Sequence, residues 1–159
     1  MKLTTKGRYA VTAILDLALH ETHGPTTLAD ISVRQGISLS YLEQLFAKMR
    51  RSKLVDSTRG PGGGYRLARA KHEISVVDIV DSVNESIQVT KCEGKGGCDN
   101  GEMCLTHELW NDLSEQINQY LLAITVEDLI KRPEILSLSA KQDQRVLKAA
   151  DAIPVSERI

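Results

Sequence analysis

The strongest constraint on the fold is an ordered series of apolar stripes in the front half of the chain. Apolar side chains recur three and four positions apart through residues 5–22, which predicts an amphipathic first helix. Thr27 can cap a short second helix, and Ser38 or Ser40 can cap a third. The second and third helices are joined by residues 35–38, a spacing typical of a helix-turn-helix. Such pairs also occur as plain packing units, so the spacing alone leaves both interpretations open.

A β-hairpin pattern follows the third helix directly. Residues 54–59 and 65–69 have the pattern of short strands, and residues 60–64 between them are one proline and four glycines. The glycine run lacks the Lys-Ser or Lys-Thr pair that follows a phosphate-binding loop, which disfavours a nucleotide site. A hairpin after a helix-turn-helix predicts a winged helix-turn-helix domain over residues 1–84. The fold class is therefore mainly α with a small β-hairpin wing.

The segment from residue 85 to residue 107 has a different character. It contains three cysteines, four glycines and few apolar side chains, so it cannot build a hydrophobic core of its own. Cys92, Cys98 and Cys104 are followed by His107 at the start of a helical pattern. The last two of these residues are three positions apart, so both side chains can face one point. We interpret the segment as a metal-binding loop rather than a loop of free thiols, because a bound metal can order it.

The cysteine spacing leaves two metal centres open. Zinc sites with three cysteines and one histidine usually have a knuckle of two to four residues, which the first two cysteines lack. Iron-sulfur clusters accept wider loops, and histidine can replace cysteine on an iron, so the spacing slightly favours a cluster. Because His107 must stay deprotonated to bind, such a cluster is expected to be labile, which suits a sensor.

A long amphipathic helix is predicted over residues 103–125. Its apolar stripe is broad enough to serve two surfaces, and we interpret it as a dimerisation helix. The alternative is a helix packed only on its own domain. The predicted dimerisation residues are Leu109, Trp110, Leu113, Ile117, Tyr120, Leu121 and Ile124. After it we predict a short helix over residues 126–136 and a flexible polar tail over residues 137–159.

Charge is distributed unevenly along the chain. Residues 1–70 contain 11 Lys and Arg against 5 Asp and Glu, whereas residues 71–159 contain 9 against 16. A basic front half indicates one surface for a polyanion such as double-stranded DNA. No apolar run has the length of a membrane span or a signal peptide, so we expect a cytoplasmic protein without structural disulfides.

A redox enzyme is the rival functional class. Cys104 is the one fair candidate for a reactive thiol, since it precedes a helix whose N-terminus would lower the pKa of a thiol. The sequence shows no acid–base constellation near it. His20, His23 and His72 are far from the cysteines in sequence, and we interpret them as surface or core-edge residues. We therefore expect a protein that is not an enzyme.

Four motifs occur together and in order along the chain. They are residues 3–10 (LTTKGRYA), residues 37–45 (ISLSYLEQL), residues 59–65 (RGPGGGY) and the cysteine run that ends at His107. Together they resemble the IscR family of bacterial iron-sulfur cluster regulators, and the resemblance covers about residues 1–135. It implies a homodimeric winged-helix transcription factor that binds DNA.

The resemblance also implies a cofactor and a mode of regulation. The implied cofactor is a [2Fe-2S] cluster with four ligands, Cys92, Cys98, Cys104 and His107. The cluster would come from the iron-sulfur assembly machinery, and the protein would repress the assembly genes when clusters are plentiful. A second class of DNA sites would be bound without the cluster.

The third helix and the wing supply the predicted DNA contacts. Ser40, Glu43 and Gln44 lie in the N-terminal turns of the third helix, where glutamine can pair with adenine and glutamate can accept from cytosine. Glu43 either discriminates between DNA sites, if cluster binding shifts this helix, or stabilises the helix N-terminus. The predicted DNA contacts are Ser38, Ser40, Tyr41, Glu43, Gln44, Lys48, Arg50, Arg51, Arg59, Gly60, Pro61, Gly62 and Arg66.

Overall fold

The computed structural model describes residues 3–152, which form seven α-helices and a two-stranded antiparallel sheet. The elements are α1 (Thr5–His20), α2 (Leu28–Gln35), α3 (Leu39–Arg51), β1 (Val55–Thr58), β2 (Gly64–Leu67), α4 (Val76–Ser82), α5 (His107–Leu122), α6 (Val126–Ile130) and α7 (Pro133–Asp151). Short 3₁₀ turns follow α1 and precede α4. No helix in the described range is long and apolar enough to cross a membrane. The predicted mainly α fold with a small β-hairpin is confirmed.

Side-chain caps set the ends of the two short helices of the helix-turn-helix. The Thr27 hydroxyl accepts a backbone N–H of the first turn of α2 at 3.1 Å. Gly36 ends α2 in the left-handed region, with φ of 66°. The Ser38 hydroxyl accepts the N–H of Tyr41 at 3.3 Å, so Ser38 rather than Ser40 caps α3. The local sequence therefore determines the turn that joins α2 to α3.

The wing is anchored to the segment that precedes α2. In the hairpin, Val55 of β1 lies opposite Leu67 of β2. Backbone hydrogen bonds also join Tyr65 to Thr26, at 2.8 Å in one direction and 2.9 Å in the other. A Cβ atom on Gly64 would lie 2.5 Å from the carbonyl oxygen of Thr26, so only glycine permits this approach. The wing and the helix-turn-helix consequently form one unit.

A single apolar core lies between the first four helices and the hairpin. Its fully buried side chains include Ala13, Ile14, Leu17, Ile31, Leu42, Phe46, Met49, Val55 and Ile79. The ring of Phe46 meets the ring of Tyr65 edge to face, with centroids 4.8 Å apart. Burial of these side chains is the main driving force for folding of this half of the chain.

The connection from α5 to α6 is attached to the start of α4. Backbone N–H groups of Val76 and Val126 donate to the carbonyls of Ile124 and Ile74, at 3.0 and 2.9 Å. A capping box begins both α4 and α6. The helix α5 lies inside the predicted range of residues 103–125, and it begins only at His107 because the preceding residues form turns.

The predicted flexible polar tail over residues 137–159 is wrong for its described part. The predicted short helix over residues 126–136 is two helices, since α6 ends at Ile130 and α7 begins at Pro133. The helix α7 continues to Asp151 and packs on α2, while residues 153–159 lie outside the described part of the chain. Its polar side chains are held by polar partners on α1 and α2, which a test for apolar periodicity does not detect.

Candidate metal centre and nucleic-acid interface

Three of the four predicted metal ligands converge at the start of α5. His107 is the first residue of this helix and is 5% exposed. Its Nδ1 atom lies 3.4 Å from the Sγ atom of Cys92 and 3.5 Å from that of Cys98. The three ligand atoms all lie within 4.8 Å of one another. Two thiols and one imidazole nitrogen therefore face a common point, as a metal centre requires.

Cys104 lies beside this group of three. Its backbone N–H donates to the Sγ atom of Cys98 at 3.1 Å, and its own Sγ lies 3.8 Å from the hydroxyl of Thr106. All three cysteines and His107 line one cavity of about 330 Å³. The structure thus brings the four predicted ligands to one cavity, with the Cys104 thiol outside the closest set.

The cysteine segment is attached to α5 by a buried serine. The Ser114 hydroxyl is 3% exposed, accepts the N–H of Val89 at 2.9 Å and donates to the carbonyl of Trp110 at 2.8 Å. The Thr90 hydroxyl accepts the N–H of Gly94 at 2.8 Å, which closes the turn around Cys92. These bonds take the place of the apolar contacts that the segment lacks.

The thiols differ in their ionisation. Desolvation raises the pKa of Cys92, but hydrogen bonds from the backbones of Gly96 and Gly94 outweigh it and lower that pKa to about 7. The backbone N–H of Cys104 lowers the pKa of Cys98. The neighbouring thiols outweigh this effect, so the pKa of Cys98 is raised overall. The pKa of Cys104 is lowered, chiefly by its hydrogen bond with Cys98. Two of the three thiols are therefore predisposed to the thiolate form that binds metals.

Trp110 forms part of the wall of the same cavity. Its indole N–H donates to the hydroxyl of Thr106 at 3.0 Å. The ring is 40% exposed, so it also contributes to the outer surface of α5. The sequence pattern assigned Trp110 only to the dimerisation surface. In the structure it lies both in the wall of the cysteine cavity and on the exposed surface of α5.

The predicted dimerisation residues form an incompletely covered apolar surface in the single chain. Leu109 is 58% exposed, Leu113 is 38% exposed and Tyr120 is 65% exposed. Trp110 is also exposed, and the remaining three members, Ile117, Leu121 and Ile124, are half-buried. A helix with this many exposed large apolar side chains has the composition of an interface.

The predicted DNA contacts lie on α3 and on the wing. The core side of α3 carries Leu42, Leu45, Phe46 and Met49, which leaves Glu43 and Gln44 on the exposed side. The exposed members of the set are Ser38, Ser40, Glu43, Gln44, Arg50, Arg51, Arg59, Gly60, Pro61, Gly62 and Arg66. Tyr41 and Lys48 are half-buried, and the ring of Tyr41 packs edge to face on Tyr9 at 5.9 Å.

Sequence reasoning missed a polar network behind the helix-turn-helix. The sequence pattern gave no role to Asp16, and His20 was interpreted as a surface or core-edge residue. Asp16 is 2% exposed and pairs with Arg34, while His20 bonds to Asp143 on α7. A carboxylate on the buried side of α1 is itself the signal, because a buried charge requires a partner.

Comparisons with known proteins agree with this geometry. A family model described as Rrf2, an iron-dependent transcriptional regulator, matches residues 3–132. The chain is 58% identical over 143 residues to the HTH-type transcriptional regulator IscR of Vibrio campbellii, covering 90% of this chain and 85% of the relative. It is 57% identical over 143 residues to the regulator of the same name from Xenorhabdus nematophila, covering 90% and 87%. A solved structure of T. potens IscR matches with a TM-score of 0.68 at 38% identity, covering 82% of this chain and 87% of that chain. The chain therefore belongs to the Rrf2 family and is a DNA-binding transcription regulator rather than an enzyme.

Proposed function

We propose that the chain is a homodimeric transcription regulator that senses iron-sulfur status through a labile [2Fe-2S] cluster. It acts in the cytoplasm, receives the cluster from the iron-sulfur assembly machinery and represses the assembly genes when clusters are plentiful. A second class of DNA sites is bound independently of the cluster. The observation that carries the proposal is the convergence of Cys92, Cys98 and His107 at one cavity beside Cys104. The relatives named IscR support the same assignment.

The donor set suits an iron-sulfur cluster. Iron-sulfur clusters bind cysteine thiolates, and imidazole can replace a thiolate on one iron. The Sγ atom of Cys98 accepts a backbone hydrogen bond, and bonds of this kind tune the reduction potential of a cluster. In this proposal Cys92, Cys98, Cys104 and His107 hold the cluster. When bound, the cluster supplies reversible one-electron redox chemistry and is lost to oxidants.

His107 is the residue that makes the proposed binding labile. Its Nδ1 atom faces the thiols, and a proton on this atom competes directly with a metal. A thiolate at this position would bind iron more strongly. We expect His107→Cys to retain the cluster longer in air than the wild-type protein, measured as the decay of visible absorbance. Equal decay rates would exclude a special role for the imidazole.

The proposed dimer is formed through α5. Its exposed leucines and Tyr120 would be covered by the same helix of a second copy, as in other symmetric helix interfaces. A two-fold dimer would present two copies of α3 to two half-sites of duplex DNA. Gln44 and Glu43 would reach base edges, while Lys48 and Arg50 would contact phosphates.

The first experiment is the visible absorption spectrum of anaerobically purified protein. Iron, sulfide and zinc are quantified on the same sample. We expect a brown protein with equal amounts of iron and sulfide that bleaches in air. DNA binding is then measured with and without the cluster, and the proposal requires one class of sites to depend on it and another to be independent of it.

Glu43 is the residue through which we propose the two classes of sites are distinguished. A carboxylate in the groove repels phosphate unless it finds a donor, so its position can exclude some sequences. We expect Glu43→Ala to change the ranking of sites bound by the cluster-loaded and cluster-free proteins. An unchanged ranking would leave Glu43 as an ordinary residue near the start of α3.

A structural zinc ion is the second candidate for the same donors. The three ligand atoms that lie within 4.8 Å of one another also fit around a single tetrahedral ion. In that case the protein would be colourless, would hold stoichiometric zinc and would bind DNA independently of iron and oxygen. The metal analysis above separates the two candidates directly.

A further inference from the structure

A buried ion pair joins α1 to α2 behind the helix-turn-helix. The Asp16 carboxylate accepts hydrogen bonds from Nε and Nη2 of Arg34, at 2.9 and 2.7 Å. The two residues are 2% and 6% exposed. The side-chain amide of Gln35 donates to the same carboxylate at 2.7 Å. Because each buried charge depends on the other, this cluster fixes the last turn of α2 against α1.

Arg145 of α7 reaches the same turn from the outside. Its Nη1 atom donates to the backbone carbonyl of Arg34 at 2.6 Å. Carbonyls in the last turn of a helix lack a partner within the helix, and a cation there also stabilises the negative end of the helix dipole. The chain then passes through Gly36 to Ser38, which caps α3. Arg145 thus acts directly before the turn that leads to the recognition helix.

Two further side chains of α7 bind to the same cluster. The Gln142 side-chain oxygen accepts the amide of Gln35 at 2.8 Å. Asp143 accepts Nε2–H of His20 at 2.6 Å, and Nδ1–H of that ring donates to a backbone carbonyl of α1 at 2.6 Å. With Arg145, these contacts occupy one turn of α7. The three bonds connect α7 to both α1 and α2.

We propose that α7 positions the helix-turn-helix for DNA binding, with Gln142 and Arg145 holding the end of α2 and, through it, the turn before α3, while Asp143 holds the end of α1 beside them. The inference rests on α3 as the helix that reads DNA and is independent of any cluster. The family match ends at residue 132, so α7, which begins at Pro133, lies outside the matched range. Two of the three polar contacts meet the last turn of α2, directly before the turn that leads to α3, and the third holds the end of α1 beside it.

The test compares three variants of the full-length chain, Arg145→Ala, Arg145→Lys and Lys148→Ala. Lys148 is exposed on the same helix, and its replacement removes the same charge. The probe is a DNA duplex selected from a randomised pool by the wild-type protein. Affinity is measured by fluorescence anisotropy over a range of salt concentrations. Thermal unfolding of the same samples gives the folded fraction.

We expect Arg145→Ala to weaken binding by the folded protein about tenfold. The slope of log affinity against log salt should be unchanged, because no phosphate contact is lost. Arg145→Lys should restore most of the affinity, and Lys148→Ala should stay within about twofold of wild type.

Three results would overturn the proposal. The first is wild-type affinity in Arg145→Ala. The second is a salt slope reduced by about one, which would identify Arg145 as a phosphate contact. The third is a loss explained entirely by a smaller folded fraction. If Arg145→Ala does not fold, Gln142→Ala and Asp143→Asn replace it, with a weaker loss expected and unchanged binding as the contrary result.

Discussion

The winged helix-turn-helix and the cysteine segment with α5 are stabilised in opposite ways. In the former, apolar side chains such as Phe46 and Leu42 are fully buried within one chain. In the latter, thiols line an open cavity and Leu109 and Tyr120 lie largely exposed. One region is completed by its own hydrophobic burial, whereas the other is completed by a bound metal and a second copy in our proposal. The winged helix-turn-helix can therefore be folded before the cysteine segment is ordered.

The first prediction, which has the largest expected effect, compares one substitution in each of the two regions. Phe46→Ala removes a fully buried ring and should lower the free energy of unfolding by about 3–5 kcal/mol. Cys98→Ser should abolish metal binding and change the stability of the metal-free protein by less than about 0.5 kcal/mol. Denaturant unfolding with metal analysis measures both. A large loss of metal-free stability in Cys98→Ser would show that the regions are not independent.

The second prediction concerns pH and the polar network behind the helix-turn-helix. The hydrogen bond of His20 with Asp16 is the main cause that raises the pKa of this imidazole from 6.5 to about 9. Asp143 of α7 also raises this pKa, whereas desolvation and the charge of Arg34 lower it. Since the folded-state pKa is the higher one, this contribution is complete below pH 6.5 and is lost as pH rises through about 9.

The contribution of His20 amounts to about 3 kcal/mol at most. We expect the difference in unfolding free energy between the wild-type protein and His20→Gln to shrink between pH 6.5 and 9. Taking the difference cancels the titration of Cys92, which both proteins share. A difference that is constant over this range would contradict the assignment of a protonated His20.

The third prediction tests the exposed surface of α5. Leu113→Lys places a charge on the proposed interface and should weaken dimerisation at least about tenfold, measured by sedimentation velocity. Asn118→Lys is the control, since it adds the same charge to an exposed polar position of the same helix. The stability of the winged helix should be unchanged in both. Equal dimerisation of the two variants would show that Leu113 of α5 is not in the dimer interface.

The smallest expected effect lies at the attachment of the cysteine segment. Ser114→Ala removes the acceptor of the Val89 N–H, a bond of about 1 kcal/mol. Hydrogen exchange at Val89 in the metal-free protein should become about fivefold faster, while exchange at Leu45 in α3 should be unchanged. If the two amides respond together, the segment and the core open as one unit.

The regular elements were predictable because their signals are local. Apolar periodicity and capping residues predict α1, α2, α3 and α5, and the caps at Thr27 and Ser38 lie one turn from the groups they bind. The position of α7 was missed because its contacts join residues more than 100 positions apart, such as Arg145 and Arg34. Apolar residues such as Ile135 and Leu138 recur in its sequence, but they line a groove with Leu15 and Leu19 of α1, a contact between distant segments that local patterning does not report.

The sequence predicted that Cys92, Cys98, Cys104 and His107 meet at one place, but it did not predict how they are arranged there. The spacing predicts that Cys104 and His107 face one point, since they are three positions apart. The structure instead places His107 closest to Cys92 and Cys98, because Cys104 lies before the first turn of α5. Loop turns determine which thiols approach the ring, and these turns depend on backbone conformations that apolar patterning does not report.

The position of Trp110 makes it an intrinsic fluorescence probe of the cysteine cavity. The chain contains one tryptophan, and its indole lies in the wall of the cysteine cavity. Ultraviolet-excited emission from the unlabelled protein therefore originates at the site where metal is proposed to bind, and an iron-sulfur chromophore there would quench it by energy transfer. Because the ring also reaches the outer surface of α5, emission that changes on dilution alone would report dissociation of the proposed dimer. Occupancy of the proposed metal site and assembly of the proposed dimer can then be followed in one sample without attaching a dye.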